Sequence, residues 1–347
     1  IKKILQKNPS LLNIPNKHGK TPLFESIKQI TNHKEVLVDI VLYFLDQKNI
    51  DISVPEDLRQ NEEEEEEINE ENKKKKNIPK KVPFKYASLV HVASSKKVPN
   101  VVEKLLPLTV DYYSKEKEPD VKLFTQRDSH GNTLLSVACN NNDIDTIKVI
   151  VDFILNPQNG IDYNNPEIFD INVESSQCQT PLQKICGIQI YNNVNISEMM
   201  NKIKEVIENI LSFESLDINL QSSNDKRTAL HYACYSKNED FVDLLINNSL
   251  KPIDPNICDN NNKTPLLIAV ENNQPKIVKS LLKIDSLDVN LPLLPSNQTA
   301  LDIAVKSSYS EIVALLMNDK RTDPNYQLGE SKATSLMYSI QTGENMI

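Results

Sequence analysis

Asp259-Asn260-Asn261-Asn262-Lys263-Thr264-Pro265-Leu266-Leu267-Ile268-Ala269-Val270 holds a turn, a helix start and a close-packing surface in one short run. Asp and Asn suit turns because their side chains bond their own backbone. Thr is a preferred helix N-cap, its hydroxyl oxygen accepting from an N–H of the first turn that has no helical partner. Pro directly after it fits the first helical position, where a missing N–H loses nothing. The small residue Ala269 lets a neighbouring helix approach closely. Ile277, Val278, Leu281 and Leu282 then form one apolar helical face, and Asp288-Val289-Asn290 follows as an extended, turn-prone connection.

The same order of features recurs along the chain. Capping segments begin at Thr21, Ser88, Thr133, Thr180, Thr228, Thr264, Thr299 and Thr334, with spacings of 67, 45, 47, 48, 36, 35 and 35 residues. A limiting period near 35 residues is the mark of a stacked repeat. Small pairs follow the caps at Ala138-Cys139, Ala233-Cys234, Ala269-Val270 and Ala304-Val305. Second apolar stripes recur at Val101, Val102, Leu105 and Leu106, at Phe241, Val242, Leu244 and Leu245, and at Ile312, Val313, Leu315 and Leu316. Connections of the Asp-x-Asn type stand at Asp170, Asp217, Asp254, Asp288 and Asp323.

This order of turn, Thr-Pro-Leu-His-type helix, Ile-Val-x-x-Leu-Leu-type helix and Asp-Val-Asn connection resembles the ankyrin repeat. Asn16-Lys17-His18-Gly19-Lys20-Thr21-Pro22-Leu23 and Asp128-Ser129-His130-Gly131-Asn132-Thr133 are similar to the family's turn, with Asn262 standing where Gly is usual in the 259–264 segment. The unit at Thr180 departs by having Ile185-Cys186 at the small pair and no turn Gly, and the unit at Ser88 lacks both Thr and Pro. The resemblance implies an all-α ankyrin-repeat solenoid of helix-turn-helix units joined by β-turn or hairpin-like loops. A single array is expected over 1–347, with a partial unit at 1–12 and units starting near 13, 80, 124, 170, 217, 254, 288 and 323. Ile1–Leu5 reads as the second helix of a unit whose first is missing, and Ile340–Ile347 stops where a second helix should begin, so the chain reads as a window from a longer protein.

Longer spacings mark insertions. Residues 56–82 include Glu62–Glu67 and Lys73–Lys76, a segment with too little apolar area to pack, and are expected to be disordered. Tyr112–Gln126 and Asn156–Phe169 lengthen two connections, and Gly187–Ser197 lengthens the link between two helices.

Bulk properties exclude several function classes. The net charge of −9 leaves no electrostatic footprint for general nucleic-acid binding. The strongest apolar stretch, Val36–Leu45, is interrupted by Asp39 and too short to span a bilayer. Five cysteines, an odd count without a Cys-x-x-Cys pair, argue for a reducing compartment. Glycines at 19, 131, 160, 187, 329 and 343 are too scattered for a phosphate loop, a dinucleotide fingerprint or a nucleophile elbow. Histidines at 18, 33, 91, 130 and 231 make no zinc pair. No catalytic residue, cofactor or metal is therefore expected, and Cys139, Cys186 and Cys234 read as small buried hydrophobes. The Asn-x-Ser/Thr matches at Asn195, Asn247, Asn262 and Asn297 are chance matches in an Asn-rich chain. The expected location is cytoplasmic, with nuclear import through Lys73–Lys81 as the alternative.

By resemblance, His91 and His231 occupy a structural position, and partners dock on the concave face made by turn tips and first helices. Carried over by position, the contact residues are Lys17, His18, Lys20, Arg127, Ser129, His130, Asn132, Asp225, Arg227, Tyr235, Asn260, Asn261 and Lys263. The cations among them point to an acidic protein partner for a monomeric scaffold. A second reading makes the chain the regulatory or substrate-recruiting part of a multidomain enzyme or channel.

Overall fold

The computed structural model describes residues 2–17, 19–30, 35–52, 88–115, 123–189 and 196–326. The charged insertion at 56–82, the import motif Lys73–Lys81, His18 and the unit capped by Thr334 lie outside the described residues. The chain divides into two compact units, Ile1–Gln177 and Cys178–Ile347.

In the first unit the helices are α1 (Lys2–Lys7), α2 (Pro22–Lys28), α3 (Glu35–Leu45), α4 (Leu89–Ser95), α5 (Pro99–Lys115), α6 (Leu134–Asn140) and α7 (Ile144–Leu155). First helices stack in the order α2, α4, α6, and second helices in the order α3, α5, α7. In the second unit α8 (Pro181–Cys186), α10 (Ala229–Tyr235), α12 (Pro265–Glu271) and α14 (Ala300–Lys306) form the first layer. The layer behind them is α9 (Ile196–Leu211), α11 (Glu239–Asn248), α13 (Pro275–Leu281) and α15 (Ser310–Asn318). A single antiparallel bridge, Leu293 with Gln298, is the nearest approach to a hairpin strand among the described residues.

The capping residues act as their chemistry dictates. Thr21, Thr133, Thr180, Thr264 and Thr299 each accept from the backbone N–H three residues on. Gln183 and Asp302 return the bond to the N–H of Thr180 and Thr299, at 2.9 and 2.8 Å. Alanines 93, 138, 233, 269 and 304 are fully buried, which permits the close stacking of first helices. Cys139, Cys186 and Cys234 are buried, and burial raises the thiol pKa of Cys186 and Cys234.

Among the described residues, five turns between paired helices hold one left-handed residue that is not glycine. Lys97, Asn142, Lys237, Asn273 and Ser308 hold φ between 51° and 61°. At the distal edge of the second unit an asparagine clamps each following connection. Asn219 donates to Pro252 O and accepts from Asp254 N; Asn256 does the same with Ser286 and Asp288, and Asn290 with Arg321 and Asp323. Arg321 reaches back to the carbonyls of Leu282 and Ile284, at 2.7 Å each, while its other edge pairs with Asp319. It thereby supplies a donor to the carbonyl of Leu282, the C-cap of α13.

The insertions are not passive spacers. Phe169, at the end of the 156–169 segment, is buried with its ring edge-to-face on Phe124 at 6.3 Å, and Phe124 lies 6.4 Å from Phe153 of α7. Two lengthened connections thus share one aromatic plug.

His91 shows the same economy in a different capping bond. Its Nδ1 lies 2.9 Å from the buried hydroxyl of Ser88. Burial pushes its pKa down to about 4, against smaller upward contributions from the charge of Asp128 and the backbone of Gln126. The folded state therefore favours the neutral ring. That stabilisation is complete above the unfolded value near 6.5 and is lost as pH falls toward 4. Between pH 7.5 and pH 5 this residue is expected to remove about 2 kcal/mol from the first unit. Urea titrations at the two pH values check this, with His91→Gln as the variant, because Gln183 fills the equivalent position in another repeat. An equally steep fall in the variant would place the loss elsewhere.

Candidate partner-binding surface

Turn tips project from the N-terminal ends of the first helices, and their geometry follows from Asp-x-Asn-type bonding. At the third tip Asp128 Oδ1 accepts from the backbone N–H of His130 and Asn132, both at 2.9 Å. Ser129 and His130 are exposed at its apex. Arg127 lies beside them, donating to Gly131 O at 2.7 Å and Glu174 O at 3.2 Å. Asn132 does not stand with the exposed set. It is buried, and its Oδ1 accepts from Asn140 Nδ2 at 3.0 Å and from Ser176 N at 2.8 Å. The physical reason is its place directly before the cap, where the chain turns into α6.

At the first tip Lys17 is exposed and Lys20 is half-buried, 3.9 Å from Glu25. The tip between the first and third falls outside the described residues.

The fifth and sixth tips form a single connected cluster. Asp259 Oδ1 accepts from Asn261 N at 2.8 Å and Lys263 N at 3.0 Å, and its Oδ2 accepts from Arg227 Nε at 3.3 Å. The Asp259 side chain has no exposed surface. Arg227 also pairs with Asp225 at 3.4 Å, and its guanidinium lies 4.1 Å from the ring centre of Tyr235. Asp225 accepts from Tyr232 Oη at 2.9 Å and from the hydroxyl of Ser222. Burial alone would raise the Asp225 pKa, but these hydrogen bonds and the Arg227 charge outweigh it and hold the carboxyl below its ordinary value. Asn260 donates its backbone N–H to Asp225 O and its amide to Asn224 O, tying one tip to the next.

His231 completes the frame. Its Nδ1 accepts from Thr228 N at 3.1 Å, which leaves Nε2 to donate to Lys263 O at 3.0 Å in the next repeat. Burial lowers its pKa, consistent with the neutral tautomer those bonds require. Lys263 Nζ sits 2.6 Å from Glu271. Asp225, Arg227, Tyr235, Asn260 and Lys263 are thus brought together, with Asn261 exposed at the sixth apex.

The seventh tip differs from the other described tips in carrying an apolar apex. Leu294 is 51% exposed at the apex of a turn closed by Leu293 N donating to Gln298 O at 2.8 Å. The available signal was the absence of any charged residue from Val289 to Leu301 in a chain that is 25% charged.

Among the described residues no group of three or more His, Cys, Asp and Glu side chains is placed to hold a metal ion. No described helix is long and apolar enough to cross a membrane.

A family model of three ankyrin repeats matches the chain at residues 89–249, 196–292 and 249–328. No curated protein matches it. Among solved structures, the ankyrin repeat domain of Bcl-3, described as a unique member of the IkappaB protein family, is similar at 19% identity and a TM-score of 0.51. That match covers 72% of this chain and 92% of the other. EF0377, an ankyrin repeat protein, has 20% identity and a TM-score of 0.49, covering 67% of this chain and 99% of the other.

Proposed function

The chain belongs to the ankyrin repeat family, and we propose that it is a protein–protein interaction scaffold whose partner is held by turn tips and first helices. Ankyrin repeats are in general protein-interaction modules, and the action is binding by surface complementarity rather than bond chemistry. The observation that carries the proposed face is the locked pair of tips in the second unit. Asp259 and Arg227 hold two consecutive tips in one arrangement before any partner arrives. A surface ordered in advance loses less conformational freedom on binding. Arg and Tyr side chains, here stacked as Arg227 on Tyr235, are also the residue types that most often anchor interfaces.

The partner's charge is a separate matter. Lys20, Arg127, Arg227 and Lys263 are each engaged within the chain, by Glu25, by backbone carbonyls, by Asp225 with Asp259, and by Glu271. An acidic partner would have to compete with those groups. The reading therefore favours contact through uncharged groups at the tips, among them Asn260, Asn261 and the Tyr235 ring.

Affinity purification with crosslinking, followed by mapping of the crosslinked residues, tests the face. Crosslinks are expected on the tips and first helices of α10, α12 and α14. Crosslinks confined to the second-helix layer would overturn the assignment. Charge reversal at Arg127, Arg227 and Lys263 addresses partner acidity, since an acidic partner would lose affinity and salt dependence together.

A further inference from the structure

The exposed seventh tip points to a particular chemistry of contact. We propose that Leu293–Gln298 is an apolar finger that docks an uncharged, apolar segment of a protein partner. The inference rests on the scaffold reading and names what part of the partner that scaffold takes at this repeat.

Three observations carry it. The tip is built rather than frayed: Leu293 N donates to Gln298 O at 2.8 Å, and Ser296 Oγ donates to Leu293 O at 3.0 Å. Leu294 is therefore held outward from both sides, at 51% exposure. The equivalent apices carry Ser129 and His130, Asn224 and Asp225, or Asn260 and Asn261, all polar. Finally, the run from Val289 to Leu301 contains no charge.

The occupant follows from elementary energetics. A charged partner group set against Leu294 would lose water and gain no counter-charge. An apolar side chain set there removes two apolar surfaces from water together. A second copy of the chain is a poor occupant because each copy carries −9 and repels the other. An anionic lipid surface is disfavoured by the same charge. What remains is an apolar, uncharged stretch of a different protein.

Selection of a phage-displayed random peptide library on the whole chain supplies the probe. Synthetic copies of the enriched peptides are then titrated against wild type, Leu294→Asp, Leu294→Met and Arg227→Ala, at low and high salt. Circular dichroism verifies that each variant keeps its helices. The expected result is peptides rich in apolar residues and low in charge, with affinities indifferent to salt. Leu294→Asp should weaken them by about tenfold or more, while Leu294→Met leaves them within about twofold. Peptides that bind Leu294→Asp as well as wild type, but need Arg227, would overturn the finger and leave the scaffold reading standing. Failure to enrich any peptide would count against both. Sedimentation showing a Leu294-dependent dimer would also overturn the proposal, because the occupant would then be a second copy.

Discussion

Replacing Phe169 with alanine is expected to cost the first unit about 3–5 kcal/mol, the range for truncating a fully buried aromatic ring. Phe169 is only 2% exposed, and its ring meets Phe124 edge-to-face at 6.3 Å. Phe124 in turn lies against Phe153 on α7. Both Phe124 and Phe169 arrive from lengthened connections rather than from helices, so neither segment is fixed by its own backbone hydrogen bonding alone. Truncation leaves a cavity between them and α7 that the surrounding helices cannot close without shifting. Phe169→Leu should lose roughly half as much, because most of the apolar volume returns. Urea denaturation measures the totals, and hydrogen exchange locates them. Amides of 156–169 and of α7 are expected to lose protection first, while those of α10 to α15, which have their own core, keep theirs. A loss below about 1 kcal/mol would show that the insertion is held by something other than this ring.

The aromatic plug also marks where the sequence stops being legible. Caps, small pairs and apolar stripes are local signals, set by spacings of three to six residues. The stacked helices they imply are present, from Thr21 at α2 to Tyr309 before α15. The 156–169 segment reads only as a longer connection, because the partner that buries Phe169 is Phe124, far away in sequence. The proposed surface divides the same way. Turn position picks out Asp225, Arg227, Asn260 and Lys263 as neighbours. It gives no hint that Asp259 takes up the Arg227 charge, or that Asn132 turns inward to hold Ser176 N. Whether a cation is free depends on which carboxylate or carbonyl the fold brings beside it, and that is a tertiary fact. Leu294 is illegible for the opposite reason: a leucine in a repeat chain reads as core, and only its place at a turn apex reverses that.

The Asp259–Arg227 pair sets the second large expectation. Asp259→Ala should cost the second unit about 2–4 kcal/mol, because each buried donor left without an acceptor costs about 1–3 kcal/mol, while Arg227 keeps Asp225 and Tyr235. Three donors lose their acceptor at once: Asn261 N, Lys263 N and Arg227 Nε. The two backbone amides are part of the tip's own turn, so the turn loosens together with the link between repeats. Asp259→Asn separates these contributions. Its amide oxygen can still accept from Asn261 and Lys263, but its NH2 group would face the Arg227 donor. It is expected to keep the sixth tip and lose the tie to the fifth, at roughly half the cost of alanine. A double-mutant cycle with Arg227→Ala measures the tie directly, and a coupling of about 1–3 kcal/mol is expected for partners in one network. Additive effects would mean that Arg227 is held by Asp225 and Tyr235 alone. The same variants bear on binding. If the locked pair is what prepares the surface, Asp259→Asn should weaken a partner mapped to these tips chiefly through the ordering it must now impose. That loss should shrink when Arg227 is removed as well, because a tie already absent cannot be broken twice.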